Sequence, residues 1–153
     1  MENKVIALGI TGGIAAYKAA DLCGKLAKKY DVRVLMTENA TRFVTPLTFK
    51  TLSRHAVVTS LWEEAEWRPE HVALADDALT TFAATFAGKV LVAPAMNPKM
   101  WAHPACVENV ATLKKRGVHF CGPVSGHVAC GADGMGRMCE AAEILVAIEA
   151  LLV

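Results

Sequence analysis

Val5-Ile6-Ala7-Leu8-Gly9-Ile10-Thr11-Gly12-Gly13-Ile14-Ala15-Ala16 is the stretch that decides the fold. Val5 to Ile10 is a continuous apolar run that stops at Thr-Gly-Gly, the pattern of a strand buried on both faces of a parallel sheet. From Ile14 to Lys29 the apolar positions Ala15, Ala19, Leu22 and Leu26 recur at helical spacing, with Lys18, Lys25, Lys28 and Lys29 on other faces. Val32 to Met36 is again compact and β-prone, which completes a strand–helix–strand unit with a right-handed crossover. Thr37-Glu38-Asn39 then reads as a helix start.

Further along, Pro46 to Leu52 reads as a helix, Ala56 to Thr59 as a short extended piece, and Trp62 to Pro69 as an acidic, Trp-bearing loop. Leu79 to Ala87 reads as a helix, Val90 to Ala93 as a buried strand ending at Pro94, and Val107 to Arg116 as an amphipathic helix that Gly117 stops. Val118 to Cys121 is expected to be a strand and Glu140 to Leu152 a closing helix. Between them, Gly122 to Met138 is expected to be a loop, with glycines at 122, 126, 131, 134 and 136. This alternation predicts an α/β fold, a doubly wound parallel sheet in a Rossmann- or flavodoxin-like three-layer sandwich. No internal repeat or linker interrupts the 153 residues, so residues 1–153 read as a single domain.

The composition, 54% hydrophobic and 20% charged, excludes a disordered or fibrous chain. Sixteen Lys and Arg against 15 Asp and Glu leave a net charge of +1, which provides no bulk field for nucleic acid or an anionic membrane. Any anion must therefore be held by local geometry. No segment approaches the ~18 uninterrupted apolar residues of a membrane span, and MENKVIALGI has no signal-peptide core. A soluble, cytoplasmic protein is expected. Cys23, Cys106, Cys121, Cys130 and Cys139 make an odd set without a CxxC pair, as in a reduced compartment. Cys121, His127, Cys130 and Cys139 do not follow the spacing of a zinc finger or ribbon, so no metal is expected.

Three segments and one histidine carry candidate chemistry. Gly9 to Ala16 places free N–H groups and a helix dipole where a nucleotide or flavin phosphate can bind, although it fits neither GxGxxG nor the Walker pattern; a plain tight turn is the alternative. Pro94-Ala95-Met96-Asn97-Pro98-Lys99-Met100-Trp101 lies past the carboxyl end of a strand, where open α/β sheets bind ligands. There Asn97 offers donors and an acceptor for a carboxylate, between walls of Met96, Met100 and Trp101; a loop that packs its Met and Trp into the core is the other reading. Ala129 to Met138 is Gly-rich and long enough for a mobile lid, in which Cys130 could donate a proton or be an incidental small hydrophobe. His71 opens the apolar run His71-Val72-Ala73-Leu74-Ala75, at a site edge or in a structural role.

Taken in order, GITGGIAAYK, HVALAD, PAMNPKMW and ACGADGMGRM resemble the homo-oligomeric flavin-containing cysteine decarboxylases, from residue 3 to 153. The resemblance implies FMN as cofactor, contacted by Gly12, Gly13 and Ile14 and by the turn containing Thr37 and Asn39, with Ala95 against the isoalloxazine. It implies His71 as the active-site histidine, Asn97 as the grip on the substrate carboxylate, Cys130 as proton donor, and Met100, His127, Val128 and Ala129 as further substrate contacts. The chemistry implied is loss of CO2 from a cysteinyl carboxylate. The flavin first oxidises the thiol-bearing carbon to a thioaldehyde, which delocalises the charge that decarboxylation leaves behind.

Within the family, the substrate expected for this chain is 4'-phospho-N-pantothenoyl-L-cysteine of coenzyme A biosynthesis, which would give 4'-phosphopantetheine. Peptides ending in cysteine, or a non-catalytic regulatory role, are the alternatives. Family members assemble as trimers or dodecamers, so a homo-trimer or dodecamer is implied, without nucleic acid or membrane partners.

The chain departs from the family after HVALAD. Members carry a further buried strand, a loop that holds the flavin ring and a short helix there. Leu74-Ala75-Asp76-Asp77-Ala78-Leu79 instead runs directly across, leaving about twenty residues unaccounted for. A central strand cannot be removed from a parallel sheet without unpairing its neighbours, so a segment near Asp76 and Asp77, missing relative to the family, is expected to be omitted from the sequence rather than absent from the protein. If so, Cα atoms there would lie far beyond the ~3.8 Å of a trans peptide, and a normal bond would count against FMN binding. The Gly-rich stretch from Ala129 also reads ACGAD where many members place the acidic residue directly after ACG, and Asp133 is expected to substitute.

Overall fold

A computed structural model describes residues 4–60, 78–129 and 131–153. The Trp62 to Pro69 loop, His71, the Asp76–Asp77 junction and Cys130 lie outside the described residues. The chain forms two compact units, Met1–Ala87 and Gly88–Val153.

In the first unit β1 (Val5–Ile10) is followed by α1 (Ala16–Leu26) and β2 (Asp31–Met36). The short α2 (Glu38–Thr41), α3 (Pro46–Ser53), β3 (Val57–Val58) and α4 (Ala78–Thr85) complete it. The sheet is parallel in the order β1-β2-β3, with Val5 opposite Asp31, Ile10 opposite Met36 and Val34 opposite Val57. Strand β2 is the buried centre, since Val32, Val34, Leu35 and Met36 are almost fully enclosed. Helix α1 lays Ala16, Ala19, Leu22, Cys23 and Leu26 into the core, the face that its apolar spacing predicts. Phe49 of α3 is fully buried, and Leu35, Val58 and Ala78 form a cluster with Ala7, Leu79 and Phe82 against it.

One expectation changes here. β1 is not buried on both faces: Ile10 alone is enclosed, and Val5 is 59% exposed. Among the described residues β1 pairs only with β2, so its other edge carries no strand to shield it.

The second unit holds β4 (Leu91–Val92), α5 (Pro98–Trp101), α6 (Pro104–Lys115), β5 (His119–Phe120), β6 (Val124–His127), β7 (Asp133–Arg137) and α7 (Ala141–Leu151). β4 and β5 pair in parallel, Leu91 opposite His119. The expected buried strand at Val90 to Ala93 is a two-residue strand that is only half-buried. α6 begins at Pro104, a residue suited to the first helical position, and buries none of its side chains. α7 starts in a capping box, with the Glu140 and Glu143 side chains each accepting the other's backbone N–H.

The largest correction concerns the glycine-rich stretch 122–138, expected as a loop. It is an antiparallel hairpin, β6 against β7, with Val124 opposite Arg137 and His127 opposite Asp133. Gly136 sits inside β7 because the backbone of Met96 approaches it closely, and Gly134 because the Pro98 ring does, positions that suit a residue without a side chain.

Candidate functional site

In the first unit, the Gly12 turn and the Thr37–Asn39 turn meet. A Cβ at Gly12 would lie 2.5 Å from Asn39 Cβ and 3.0 Å from the Asn39 carbonyl carbon. The Thr37 N–H donates to Ile10 O at 3.0 Å, which ties the end of β2 to the end of β1. The Thr37 side chain caps α2 by accepting the Ala40 N–H at 3.3 Å. α1 has no side chain at its amino cap, and Ile14 is 60% exposed. Nothing lies within 4 Å of where a Cβ on Gly13 would point. The open, uncapped N–H groups of this turn fit an anionic group such as a phosphate.

The Gly12 contact has a direct consequence for stability. Gly12→Ala is expected to destabilise the protein by about 1–3 kcal/mol through overpacking against Asn39, while Gly13→Ala leaves the thermal midpoint unchanged. Calorimetry of the two variants checks both.

In the second unit, the Pro94–Trp101 segment and the hairpin are locked together. The Met96 N–H donates to Gly136 O at 3.0 Å, and a Cβ on Gly136 would stand 2.2 Å from Met96 O. A Cβ on Gly134 would stand 3.1 Å from Pro98 Cβ. Of the two readings left open for this segment, packing of its Met and Trp into the core does not hold: Met100 is 62% exposed and α5 buries no residue.

Asn97 is the amino cap of α5, its Oδ1 accepting the Lys99 N–H at 2.8 Å, with Pro98 at the first helical position. Ala95 is exposed beside the buried Pro94. Met96, Lys99, Met100, His103 and Cys106 line a cleft of about 530 Å³. Cys106 Sγ approaches Met96 Sδ to 3.7 Å, and His103 Nδ1 accepts the Ala105 N–H at 3.2 Å to cap α6. Lys99, His103 and Cys106 were not singled out from the sequence. The His-Pro pair at 103 and 104, a cap followed by a first-turn proline, was the available signal.

At the hairpin tip, the Val128 N–H donates to Ala132 O at 3.0 Å and the Gly131 N–H to Val128 O at 2.9 Å. His127 Nδ1 lies 3.3 Å from Asp133 Oδ1, on exposed side chains. Among the described residues, no three His, Cys, Asp or Glu side chains group so as to hold a metal ion.

The motif pairs and the α/β architecture together define a flavoprotein class, and the Flavoprotein family model matches residues 1–78 and 71–153. The chain belongs to the Flavoprotein family. It is 37% identical over 171 residues to the coenzyme A biosynthesis bifunctional protein CoaBC of Bacillus subtilis, covering 95% of this chain and 42% of that protein. This chain thus spans less than half the length of that relative. The alignment also runs over more residues than the 153 that the chain possesses.

Two solved structures share the fold. A PPC decarboxylase mutant complexed with pantothenoylaminoethenethiol superposes with a TM-score of 0.84 at 21% identity, over 99% of each chain. The FMN binding protein AtHal3 does so with a TM-score of 0.78 at 22% identity, over 98% of this chain and 96% of that one.

Proposed function

We propose that this chain decarboxylates 4'-phospho-N-pantothenoyl-L-cysteine to 4'-phosphopantetheine with bound FMN, as a step of coenzyme A biosynthesis. The observation that carries the reading is the lock between Met96 and Gly136, which fixes the Asn97 loop against the hairpin. Support comes from the name of the Bacillus subtilis relative and from the likeness to a PPC decarboxylase and an FMN binding protein.

The uncapped turn at Gly12, Gly13 and Ile14 would hold the FMN phosphate, with Thr37 and Asn39 on the adjoining turn and Ala95 against the ring. When bound, FMN supplies a two-electron oxidant for the thiol-bearing carbon and returns the electrons later. Asn97 orients the substrate carboxylate, its amide donating to an anion that must be held still as CO2 departs. Met100, His127, Val128 and Ala129 bind the rest of the cysteinyl group. His71 acts as the active-site acid–base, and Cys130 returns a proton to the product.

We further propose that the sequence near residues 76–77 omits a segment that the protein, like other family members, possesses, in keeping with an alignment longer than the 153 residues. Assembly as a homo-trimer or dodecamer is proposed with it, supported by apolar residues left in the open on α6, where Val107 is 54% and Leu113 38% exposed. A cytoplasmic location fits a chain in which no helix among the described residues is long and apolar enough to cross a membrane.

Purified protein is expected to be yellow, with flavin absorbance, and to convert the substrate to a product lighter by one CO2 in mass spectrometry. A colourless protein that takes up no added FMN overturns the cofactor, and a yellow protein that leaves the substrate intact overturns the reaction.

A further inference from the structure

Two cysteines that the proposed reaction does not use stand at the two feet of the hairpin. Cys121 follows β5 and precedes β6, while Cys139 follows β7 and precedes the cap of α7. They are neighbours: Cys139 Sγ packs against Gly122, the residue that follows Cys121. Gly122 makes room for that contact. Its φ of 85° is one that glycine adopts without strain, and a Cβ there would press to 2.7 Å from Cys139 Sγ.

Access is unequal. Cys139 is 4% exposed, whereas Cys121 is only half-buried, so a reagent from solvent meets Cys121 first. Burial, then the neighbouring Cys139 and the charge of Glu143, push the Cys121 thiol up to about 11. The nucleophilic thiolate is therefore scarce at neutral pH, and oxidation is slow there.

We propose that Cys121 and Cys139 are a disulfide-forming pair whose oxidation ties together the two feet of the β6–β7 hairpin. With a small disulfide such as oxidised glutathione, the Cys121 thiolate attacks one sulfur and expels a glutathione thiolate. Cys139 then gives up its proton and attacks the Cys121 sulfur of the mixed disulfide, expelling the second glutathione. Two protein thiols lose two electrons, one glutathione disulfide gains them, and the protons end on the glutathione thiols. The closed loop contains the entire hairpin, so the bond restrains both strands without altering the contacts that hold them to Met96.

The full chain is incubated with oxidised glutathione over a pH series, quenched with acid and digested. The expected product is lighter by two hydrogens and yields a peptide pair linking Cys121 to Cys139, which dithiothreitol separates. Its rate rises about tenfold per pH unit between about 7 and 9, following the thiolate fraction of Cys121. Cys139→Ser is expected to halt at a glutathione adduct on Cys121, and the oxidised wild type to show slower amide exchange across Ser125–His127 and Met135–Arg137. A link from Cys121 to any other cysteine, a persistent adduct on Cys121 in the wild type, or a protein left fully reduced at the top of the series overturns the pairing. None of these readouts depends on bound flavin, so they stand apart from the test of the proposed reaction.

Discussion

Asn97→Asp is expected to lower turnover of the cysteinyl substrate by about a thousandfold while leaving the thermal midpoint within error of the wild type. The contrast arises because Asn97 does two jobs. As amino cap of α5 its Oδ1 accepts the Lys99 N–H at 2.8 Å, and aspartate caps a helix as well as asparagine does. As the proposed grip on the carboxylate it must donate through its amide nitrogen, and aspartate offers only acceptors and a negative charge that repels the anion. Asn97→Ala removes both functions, so the same loss of turnover should come with about 1 kcal/mol of destabilisation. Steady-state kinetics beside thermal melts separate the two roles. Full turnover in the aspartate variant removes Asn97 from the reaction.

Gly136→Ala is expected to be the most damaging single methyl group in the second unit. The added carbon would sit 2.2 Å from Met96 O, with Met96 C and Pro98 N each at 3.3 Å, and all three atoms are backbone. No side chain can swing aside, so the strand and the loop must part and strain the 3.0 Å bond from the Met96 N–H to Gly136 O. The cost should exceed the usual overpacking penalty and reach about 3 kcal/mol or more, a fall of about 6–12 °C in thermal midpoint. Turnover should drop about a hundredfold in the folded fraction, because Asn97 moves with the loop. A variant as stable and active as the wild type would show that the loop and strand are not held as described.

Much of this was legible from periodicity. The apolar run at Val5 to Ile10 and the helical spacing of Ala19, Leu22 and Leu26 describe residues whose neighbours in sequence are also their neighbours in space, and both elements form as expected. Pro46, Pro98 and Pro104 each open a helix, although from the sequence alone the proline-bounded stretch at Pro98 reads as a loop. The hairpin was not legible in that way. Gly126, Gly134 and Gly136 look like loop residues because nothing local tells glycine used for flexibility from glycine used for clearance. The clearance at Gly134 and Gly136 is needed by Pro98 and Met96, far away in sequence. The half-exposed β1 escaped for a related reason, since an apolar strand reads the same whether or not both its edges are paired.

The pairing of β6 with β7 joins stretches as near as His127 and Asp133, and α7 begins beside it with its own reciprocal cap, whereas β1 must wait for α1 to be laid down before it finds β2. Local closure loses less chain entropy than distant closure. As the polypeptide collapses, the glycine-rich ribbon and its trailing helix can thus take shape ahead of the parallel strands, so the surface onto which the Met96 segment docks exists before that segment is brought to it.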